Sequence, residues 1–381
     1  MKQVLKILGG LLAGAVVVAL LTAGIIALVD DGSFSFSQAK DVEGGTLALS
    51  ILYSFLSLFI AFFLNIFLHE AGHLVFGLLT GYRFVSFRVF NVTFSKDKHG
   101  QWTRRKFSIP GTAGQCLMAP PTDMPADRVP YFWYNAGGVI VNLLLLLLSI
   151  YCLKAFHLPM FLECFFLINS IIALLIALMN GLPIKVGGTN NDGRNIWELW
   201  QHPEKRADLI YQLSMVAEIV KGTRMSEMPA EWFPYRPLTS YKDTISLGSK
   251  VNYIGWLEDN RRMAEALAET EELLKHKLPM LIQRELADEA VFLRLTDNPV
   301  ANIEDVWTKE QQTYTKAMAR YSPGKEQVLF ALELLRDGQR EAALQRLEQV
   351  KAHWQAYAFP GEARSAIAAM EYVLKKVEEN V

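Results

Sequence analysis

Residues 44 to 68 read GGTLALSILYSFLSLFIAFFLNIFL and contain no charged side chain. A helix of these 25 residues exceeds the roughly 20 residues that cross the hydrocarbon core of a bilayer. The sequence has three more uncharged runs of this kind, which are Ile7–Val29, Val129–Leu153 and Cys164–Ile184. We therefore predict a mainly α protein whose core is a polytopic bundle of four membrane-spanning helices.

The composition of the whole chain agrees with a membrane protein. Its 381 residues are 51% hydrophobic and 20% charged, and the mean hydropathy is +0.17. These values exclude a purely soluble enzyme and a disordered chain. The formal net charge of −1 produces no general field that would attract a polyanion, so we expect no nucleic-acid partner.

The loops between the predicted spans differ in charge. Residues 81–130 carry eight basic and three acidic side chains, whereas residues 30–45 carry one Lys and four acidic side chains. Because basic loops stay in the cytoplasm, this difference predicts a multi-pass protein of the cell membrane with both termini cytoplasmic. The run Ile7–Val29 is longer than the apolar part of a signal peptide, so we interpret residues 1–45 as a retained anchor and outer loop; a cleaved signal peptide is the alternative.

A short β structure is predicted between the second and third spans. Residues 85–94, VSFRVFNVTF, alternate with a period of two, and Trp102–Ile109 follows after a turn at Lys98–Gly100. Alternation of this kind is typical of a strand. We expect a small membrane-associated β-hairpin.

The chain after the last span is predicted to be helical. Ile196–Val220 has the pattern of an amphipathic helix, residues 199–239 form a connector, and residues 240–381 form a cytoplasmic all-α domain. Within that domain, Val251–Leu274 and Lys325–Trp354 each have the pattern of helix, short polar turn and helix. Such pairs are typical of tetratricopeptide-like solenoids, but no strict repeat is present, so an irregular bundle is an equal alternative. Either domain is suited to a cytosolic protein partner.

The motif His69-Glu70-Ala71-Gly72-His73 directly follows the uncharged run at residues 44–68. On a helix, positions i and i+4 share a face, so both imidazoles can bind one Zn²⁺ ion while Glu70 lies beside it. Zinc lowers the pKa of a bound water, and the glutamate accepts its proton. Ionisable side chains at membrane depth are costly and usually functional, which favours ligands over histidines that only make hydrogen bonds. We predict His69 and His73 as metal ligands and Glu70 as the catalytic base.

Two histidines leave a zinc site short of one protein ligand. In the predicted topology, the last span ends on the same side of the membrane as His69 and leads to Asn191-Asp192-Gly193. Asp192 is the only carboxylate between Glu163 and Glu198. We therefore predict Asp192 as the third ligand, and an ordinary Asp-Gly turn is the alternative.

In these motifs the chain resembles the site-2 protease family of intramembrane zinc metalloproteases, of the bacterial type without a PDZ domain. That family carries HExxH on one core span and Asn-x-x-Pro followed by Asp-Gly on a later one, as at Asn180, Pro183 and Asp192-Gly193 here. Its middle span carries Gly-Pro-x-x-Asn, and Gly138-Val139-Ile140-Val141-Asn142 keeps the Gly and the Asn but has Val in place of Pro. The segment Lys185–Asn191 also lengthens the gap before the Asp-Gly pair. The resemblance covers roughly residues 46–198.

The resemblance implies an enzyme that hydrolyses peptide bonds in or near transmembrane segments of membrane proteins or peptides, as in regulated intramembrane proteolysis. It implies residues 46–198 as the protease core and one Zn²⁺ as the cofactor. It also implies that Asn180, and in second place Asn142, donates hydrogen bonds to the substrate or to the developing oxyanion. Hydrogen bonding between helices is the alternative for both side chains.

Two other functions fit the same sequence. One is a membrane scaffold in which the helical domain binds a cytosolic partner and the metal site is vestigial. The other is a different multi-span HExxH protease, such as a prenyl-protein protease, in which a downstream glutamate, Glu198, would be the third ligand. Zinc content and the effect of replacing Glu70 distinguish the protease from the scaffold.

Overall fold

The computed structural model describes residues 44–96, 100–106, 113–186, 189–237 and 243–379, together with residues 23–25 and 27. The predicted N-terminal span at Ile7–Val29 lies almost entirely outside the described residues, as do Lys98 and His99 of the predicted turn. The described part of the chain is mainly helical and contains a small antiparallel sheet.

Three helices of the described residues are long and apolar enough to cross a membrane. They are α1 (Gly44–Leu79), α2 (Phe132–Ala155) and α3 (Met160–Gly181). Large apolar side chains cover their outer surfaces, and Phe55, Leu79 and Leu147 are 70%, 75% and 61% exposed. An apolar surface of this extent is unfavourable in water and favourable against lipid. The three helices therefore correspond to the second, third and fourth predicted spans.

Helix α1 extends beyond the predicted span. The uncharged run ends at Leu68, but the helix continues through the histidine motif to Leu79. His69 and His73 are each only 7% exposed, whereas Val75 and Leu78 on the continuing helix are exposed. Because the polar side chains point inward, they interrupt the uncharged run in the sequence without interrupting the apolar outer surface. The two histidines therefore lie within a candidate membrane span and not at its end.

Helices α1 and α2 come very close together next to the histidines. A Cβ atom on Gly137 would lie 2.5 Å from the carbonyl oxygen of Gly72, and a Cβ atom on Gly72 would collide with the carbonyl of Gly137. The contact is thus made by backbone on both sides, as small residues allow between membrane helices. Helix α3 runs antiparallel to α2 after a short connection and packs along it.

The sheet has four antiparallel strands and not the two of the predicted hairpin. They are β1 (Arg83–Val89), β2 (Val92–Lys96), β3 (Trp102–Lys106) and β4 (Gly114–Ala119), in the order β3-β2-β1-β4. The prediction of one strand over residues 85–94 is wrong because the chain reverses at Phe90 and Asn91, where Phe90 has a φ of 54°. The Arg88 guanidinium donates a hydrogen bond of 2.8 Å to the Phe90 carbonyl and holds this turn.

A two-stranded hairpin and two helices follow α3. The hairpin pairs β5 (Lys185–Val186) with β6 (Thr189–Asn190), and the helices are α4 (Asp192–Gln201) and α5 (Arg206–Lys221). The predicted single helix over Ile196–Val220 is therefore interrupted, since Pro203 lacks the amide hydrogen that a helix interior requires. One face of α5 packs on the sheet, where Val220 joins Val85 and Leu117 in a small core.

Seven further helices make up the C-terminal part of the described chain. They are α6 (Thr244–Asp259), α7 (Met263–Leu274), α8 (Met280–Asp297), α9 (Lys309–Met318), α10 (Pro323–Ala331), α11 (Arg340–His353) and α12 (Pro360–Glu379), and a π-helical turn at Leu332–Arg336 extends α10. Both predicted helix–turn–helix pairs are confirmed, with turns at Arg261 (φ 63°) and Gly338 (φ 65°). These helices share one large apolar core.

The chain divides into two compact units. The first contains residues 1–77, 132–184 and 191–196, and the second contains residues 78–131, 185–190 and 197–381. The first unit therefore holds the membrane helices and the start of α4, and the second holds both sheets and the remaining helices. The domain boundaries predicted from the sequence at residues 45, 198 and 239 stay predictions.

Candidate metal centre

Three predicted ligands from two distant segments converge in the first unit. His69 and His73 lie one helical turn apart on α1, and their Nε2 atoms are 3.2 Å apart. The Asp192 Oδ2 atom, at the first residue of α4, lies 3.3 Å from His69 Nε2 and 3.4 Å from His73 Nε2. Among the described residues, these three side chains form the one group of His, Cys, Asp and Glu whose ligand atoms come together in this way.

The spacing of the three atoms fits a tetrahedral metal ion. Ligand atoms about 2.0–2.1 Å from a zinc ion and at tetrahedral angles are about 3.3 Å apart, which matches all three separations. The Asp192 Oδ2 atom is buried and accepts no hydrogen bond from the described residues. A buried carboxylate oxygen without a donor is costly unless a cation satisfies it. The donor set, two imidazoles and one carboxylate, is one that zinc uses in catalytic sites.

Each imidazole is held by a hydrogen bond at its other nitrogen. His73 Nδ1 lies 2.7 Å from the carbonyl oxygen of Tyr134, which can only accept, so this nitrogen carries the proton. His69 Nδ1 lies 2.6 Å from the Oδ1 atom of Asn142. A proton on Nδ1 leaves the Nε2 lone pair directed at the metal position, as is usual for histidine ligands.

Gly138 and Asn142 of α2 explain why this helix can accommodate His69. They are one helical turn apart and both face the imidazole: Asn142 binds it, and Gly138 makes room for it. A Cβ atom at position 138 would lie 2.5 to 2.7 Å from three atoms of the His69 ring. From the sequence, both positions stood out only through the resemblance, and the structure supplies the physical reason for each.

Asn191 fixes the start of α4 and thereby the position of Asp192. Its Nδ2 atom donates hydrogen bonds of 2.6 Å to the carbonyl oxygens of Met179 and Leu182 at the end of α3. Its Oδ1 atom accepts a hydrogen bond of 2.9 Å from the amide of Arg194, as in a helix N-cap. In the sequence, this residue is only part of the lengthened gap before the Asp-Gly pair. An Asn directly before the first residue of a helix is the signal that identifies its capping role.

The electrostatic environment keeps Asp192 ionised. Burial raises the pKa of its carboxyl group, but positive charge on the imidazoles of His73 and His69 and hydrogen bonds from them more than compensate, so the pKa lies well below its usual value. A positive charge beside this carboxyl group, whether on an imidazole or on a metal ion, therefore keeps it ionised.

The other predicted residues, Glu70, Asn180 and Glu198, are not among the three converging side chains. Glu70 is half-buried and lies on α1 beside the ligand pair. Asn180 lies near the end of α3, where its Nδ2 atom donates a hydrogen bond of 3.1 Å to the carbonyl of Ile176 in the same helix. Glu198, the alternative third ligand, is buried and forms an ion pair of 3.1 Å with Lys205. It does not belong to the converging group.

Comparisons of the chain with family models, with curated proteins and with solved structures find no match. The resemblance to the site-2 proteases therefore stays a prediction that rests on the motifs. The geometry of His69, His73 and Asp192 is independent of that resemblance.

Proposed function

We propose that the chain is an intramembrane zinc endopeptidase that cleaves membrane proteins or membrane peptides in or near their transmembrane segments. The observation that carries this proposal is the triangle of His69 Nε2, His73 Nε2 and Asp192 Oδ2, with sides of 3.2 to 3.4 Å. Its two histidines lie on a helix that is apolar enough to span a bilayer. A three-ligand site leaves one tetrahedral position for a reactant, which distinguishes catalytic zinc sites from structural ones.

Each residue has a defined part in peptide hydrolysis. The chemistry that zinc supplies when bound is Lewis acidity toward water and toward the peptide carbonyl. Glu70 accepts the proton of the attacking water and returns it to the amide nitrogen as the C–N bond breaks, so that proton and charge balance over the cycle. Asn180 donates a hydrogen bond to the substrate or to the developing oxyanion once it turns from the carbonyl of Ile176.

The substrate class follows from the surroundings of the site. A water-excluding helix bundle favours substrates that arrive through the lipid bilayer, and such substrates are helical there because their backbone must satisfy its own hydrogen bonds. Cleavage therefore requires a locally unwound segment.

The proposal also includes a membrane topology and a role for the C-terminal helices. We place the protein in the cell membrane with four spans, of which Ile7–Val29 is the first, and with both termini in the cytoplasm. The C-terminal helices act as a tetratricopeptide-like domain that binds a cytosolic protein partner. This arrangement is supported by the basic loop at residues 81–130 and by the helix–turn–helix pairs of the C-terminal part.

Replacement of the proposed base tests the enzymatic function. Glu70→Gln removes the proton acceptor but no metal ligand, so it is expected to lower cleavage of transmembrane peptides in proteoliposomes by about a thousandfold. Its zinc content, measured by mass spectrometry, is expected to equal that of the wild type. Glu163→Gln, an exposed position at the start of α3, is the matched control. Full peptidase activity in Glu70→Gln would contradict the mechanism, and wild-type protein that holds zinc but cleaves no peptide would favour the scaffold.

A further inference from the structure

A chain of buried hydrogen bonds runs from His69 into the membrane bundle. The Asn142 Nδ2 atom donates to Asn65 Oδ1 over 3.1 Å, and the Asn65 Nδ2 atom donates to Asn169 Oδ1 over 2.7 Å. The Asn169 Nδ2 atom donates to Ser149 Oγ over 2.8 Å, and the Ser149 hydroxyl donates to the carbonyl of Leu145 over 2.8 Å. The three Asn side chains and Ser149 are at most 2% exposed. Each of the three membrane helices contributes to this chain.

The direction of these hydrogen bonds is fixed by a backbone group. Asn65 Nδ2 also lies 2.9 Å from the carbonyl oxygen of Ala61, one turn earlier in α1. A carbonyl oxygen accepts and never donates, so the Asn65 atom that faces it must be the NH₂ group. The other terminal atom of Asn65 must then be its oxygen. If the amide were turned around, two oxygens would face each other in the bundle interior.

The orientation of the Asn65 amide determines the orientation of Asn142 and, through it, the protonated nitrogen of His69. Asn65 offers two oxygens to Asn142, its side-chain Oδ1 at 3.1 Å and its backbone carbonyl at 3.4 Å, so the Asn142 atom facing them must be its NH₂ group. The Asn142 oxygen is therefore the atom that faces His69, and His69 Nδ1 must donate. An imidazole with its proton on Nδ1 has a lone pair on Nε2. The tautomer that metal binding requires is thus determined before any metal arrives.

We propose that Asn142 is the positioning residue of His69, and that Asn65 sets its orientation through its backbone carbonyl and through its side-chain oxygen, which the Ala61 carbonyl holds in place. This inference rests on the proposed metal centre, because it assigns the residues that prepare one of its ligands. Outer-shell partners of this kind raise metal affinity by holding the ring and its tautomer. Asn169 and Ser149 satisfy the remaining polar atoms, which leaves the whole network paired in a medium without water.

Zinc affinity measured by chelator competition on the detergent-purified full chain tests the proposal. Asn142→Leu removes the acceptor and is expected to weaken zinc binding by about 10- to 100-fold. Asn142→Asp keeps an oxygen at the same place, and its buried carboxyl group in the neutral form supplies an O–H that replaces the NH₂ donor toward Asn65, so it is expected to bind zinc within about threefold of the wild type. Asn65→Leu touches neither ligand and removes one of the two acceptors of the Asn142 NH₂ group, while the Asn65 backbone carbonyl stays, so we expect an intermediate loss. Ser170→Ala is the matched control, since this fully buried hydroxyl on α3 lies outside the network.

The outcomes distinguish a role of these side chains in orienting His69 from a role in helix packing alone. If these side chains only hold the helices together, Asn142→Asp weakens zinc binding as much as Asn142→Leu does, and that result would overturn the proposal. So would wild-type affinity in Asn142→Leu. Where the Leu variants do not fold, ¹⁵N NMR of histidine-labelled, zinc-loaded wild type decides: two imidazoles with a proton on Nδ1 and the metal on Nε2 support the proposal, and ligation through Nδ1 refutes it.

Zinc affinity and the ligating nitrogen are measured without peptide cleavage, so they test the positioning role separately from the proposed peptidase. Wild-type protein that binds zinc with the expected dependence on Asn142 but cleaves no peptide would refute the proposed peptidase and leave the positioning role intact. Cleavage by a protein in which Asn142→Leu has full zinc affinity would do the reverse.

Discussion

At the level of single residues, a substitution at Gly138 tests whether the His69 imidazole packs against this position. An added methyl group would lie 2.5 to 2.7 Å from the His69 ring, so Gly138→Ala must displace the imidazole. Because Ala favours a helix over Gly by about 1 kcal/mol, any loss comes from the site and not from the helix. We expect zinc affinity to fall by about tenfold or more, as measured by chelator competition.

The control for this change is Gly324→Ala in α10, where the nearest atom to an added Cβ is 4.0 Å away. That variant is expected to keep both zinc affinity and fold. An unchanged zinc affinity in Gly138→Ala would mean that the imidazole of His69 does not lie against position 138.

The identity of the third ligand is a second question at this level. Asp192 Oδ2 lies within 3.4 Å of both imidazoles, whereas Glu198 is paired with Lys205. Asp192→Ala is therefore expected to lose nearly all bound zinc, and Glu198→Gln to keep it. Zinc stoichiometry by mass spectrometry of the purified variants measures both. Retention of zinc in Asp192→Ala together with its loss in Glu198→Gln would reverse the assignment and favour a site of the prenyl-protease kind.

At the level of elements, the sequence predicted the membrane helices better than the sheet. Length and lack of charge are local properties, so α2 and α3 could be recognised from their residues alone. The true end of α1 at Leu79 could not, because the sequence does not show that His69 and His73 point inward. The division of residues 85–94 into two strands depends on the unusual φ of Phe90, which period-two alternation does not reveal.

Helix α12 carries a carboxyl group that makes stability depend on pH. Burial, with the nearby charge of Glu285, raises the pKa of Glu362 to about 7. Its folded pKa is above the unfolded one, so the folded state binds the proton more tightly. Stability is therefore expected to fall as pH rises from about 4.5 through 7 and to level off above, a loss of roughly 3 kcal/mol.

Glu362→Gln removes this dependence because its amide stays neutral. We expect it to raise the thermal unfolding midpoint of the C-terminal helices at pH 8 and to leave it unchanged at pH 4, measured by circular dichroism on the full chain. Glu341→Gln, an exposed position on α11, is the control. An equal effect of Glu362→Gln at both pH values would show that the carboxyl group is not desolvated in the folded protein.

At the level of the whole molecule, the site combines segments more than a hundred residues apart. The three converging side chains could be predicted because each has a local signal: the spacing of His69 and His73 on one helix face, and the lone carboxylate Asp192 after the last span. Several residues around them had no such signal. Asn65 and Asn169 are ordinary polar residues in apolar runs, and their role depends on how three helices pack. Tyr134 acts through its backbone carbonyl, which any residue could provide.

We propose that this protein binds one zinc ion through His69, His73 and Asp192. The most direct measurement is the metal content of detergent-purified full-length protein by mass spectrometry, with the wild type beside His73→Ala. We expect about one zinc per wild-type chain and almost none in the variant, because two remaining ligands cannot form a three-ligand site. Wild-type protein without zinc, or a variant that holds as much zinc as the wild type, would contradict the claim.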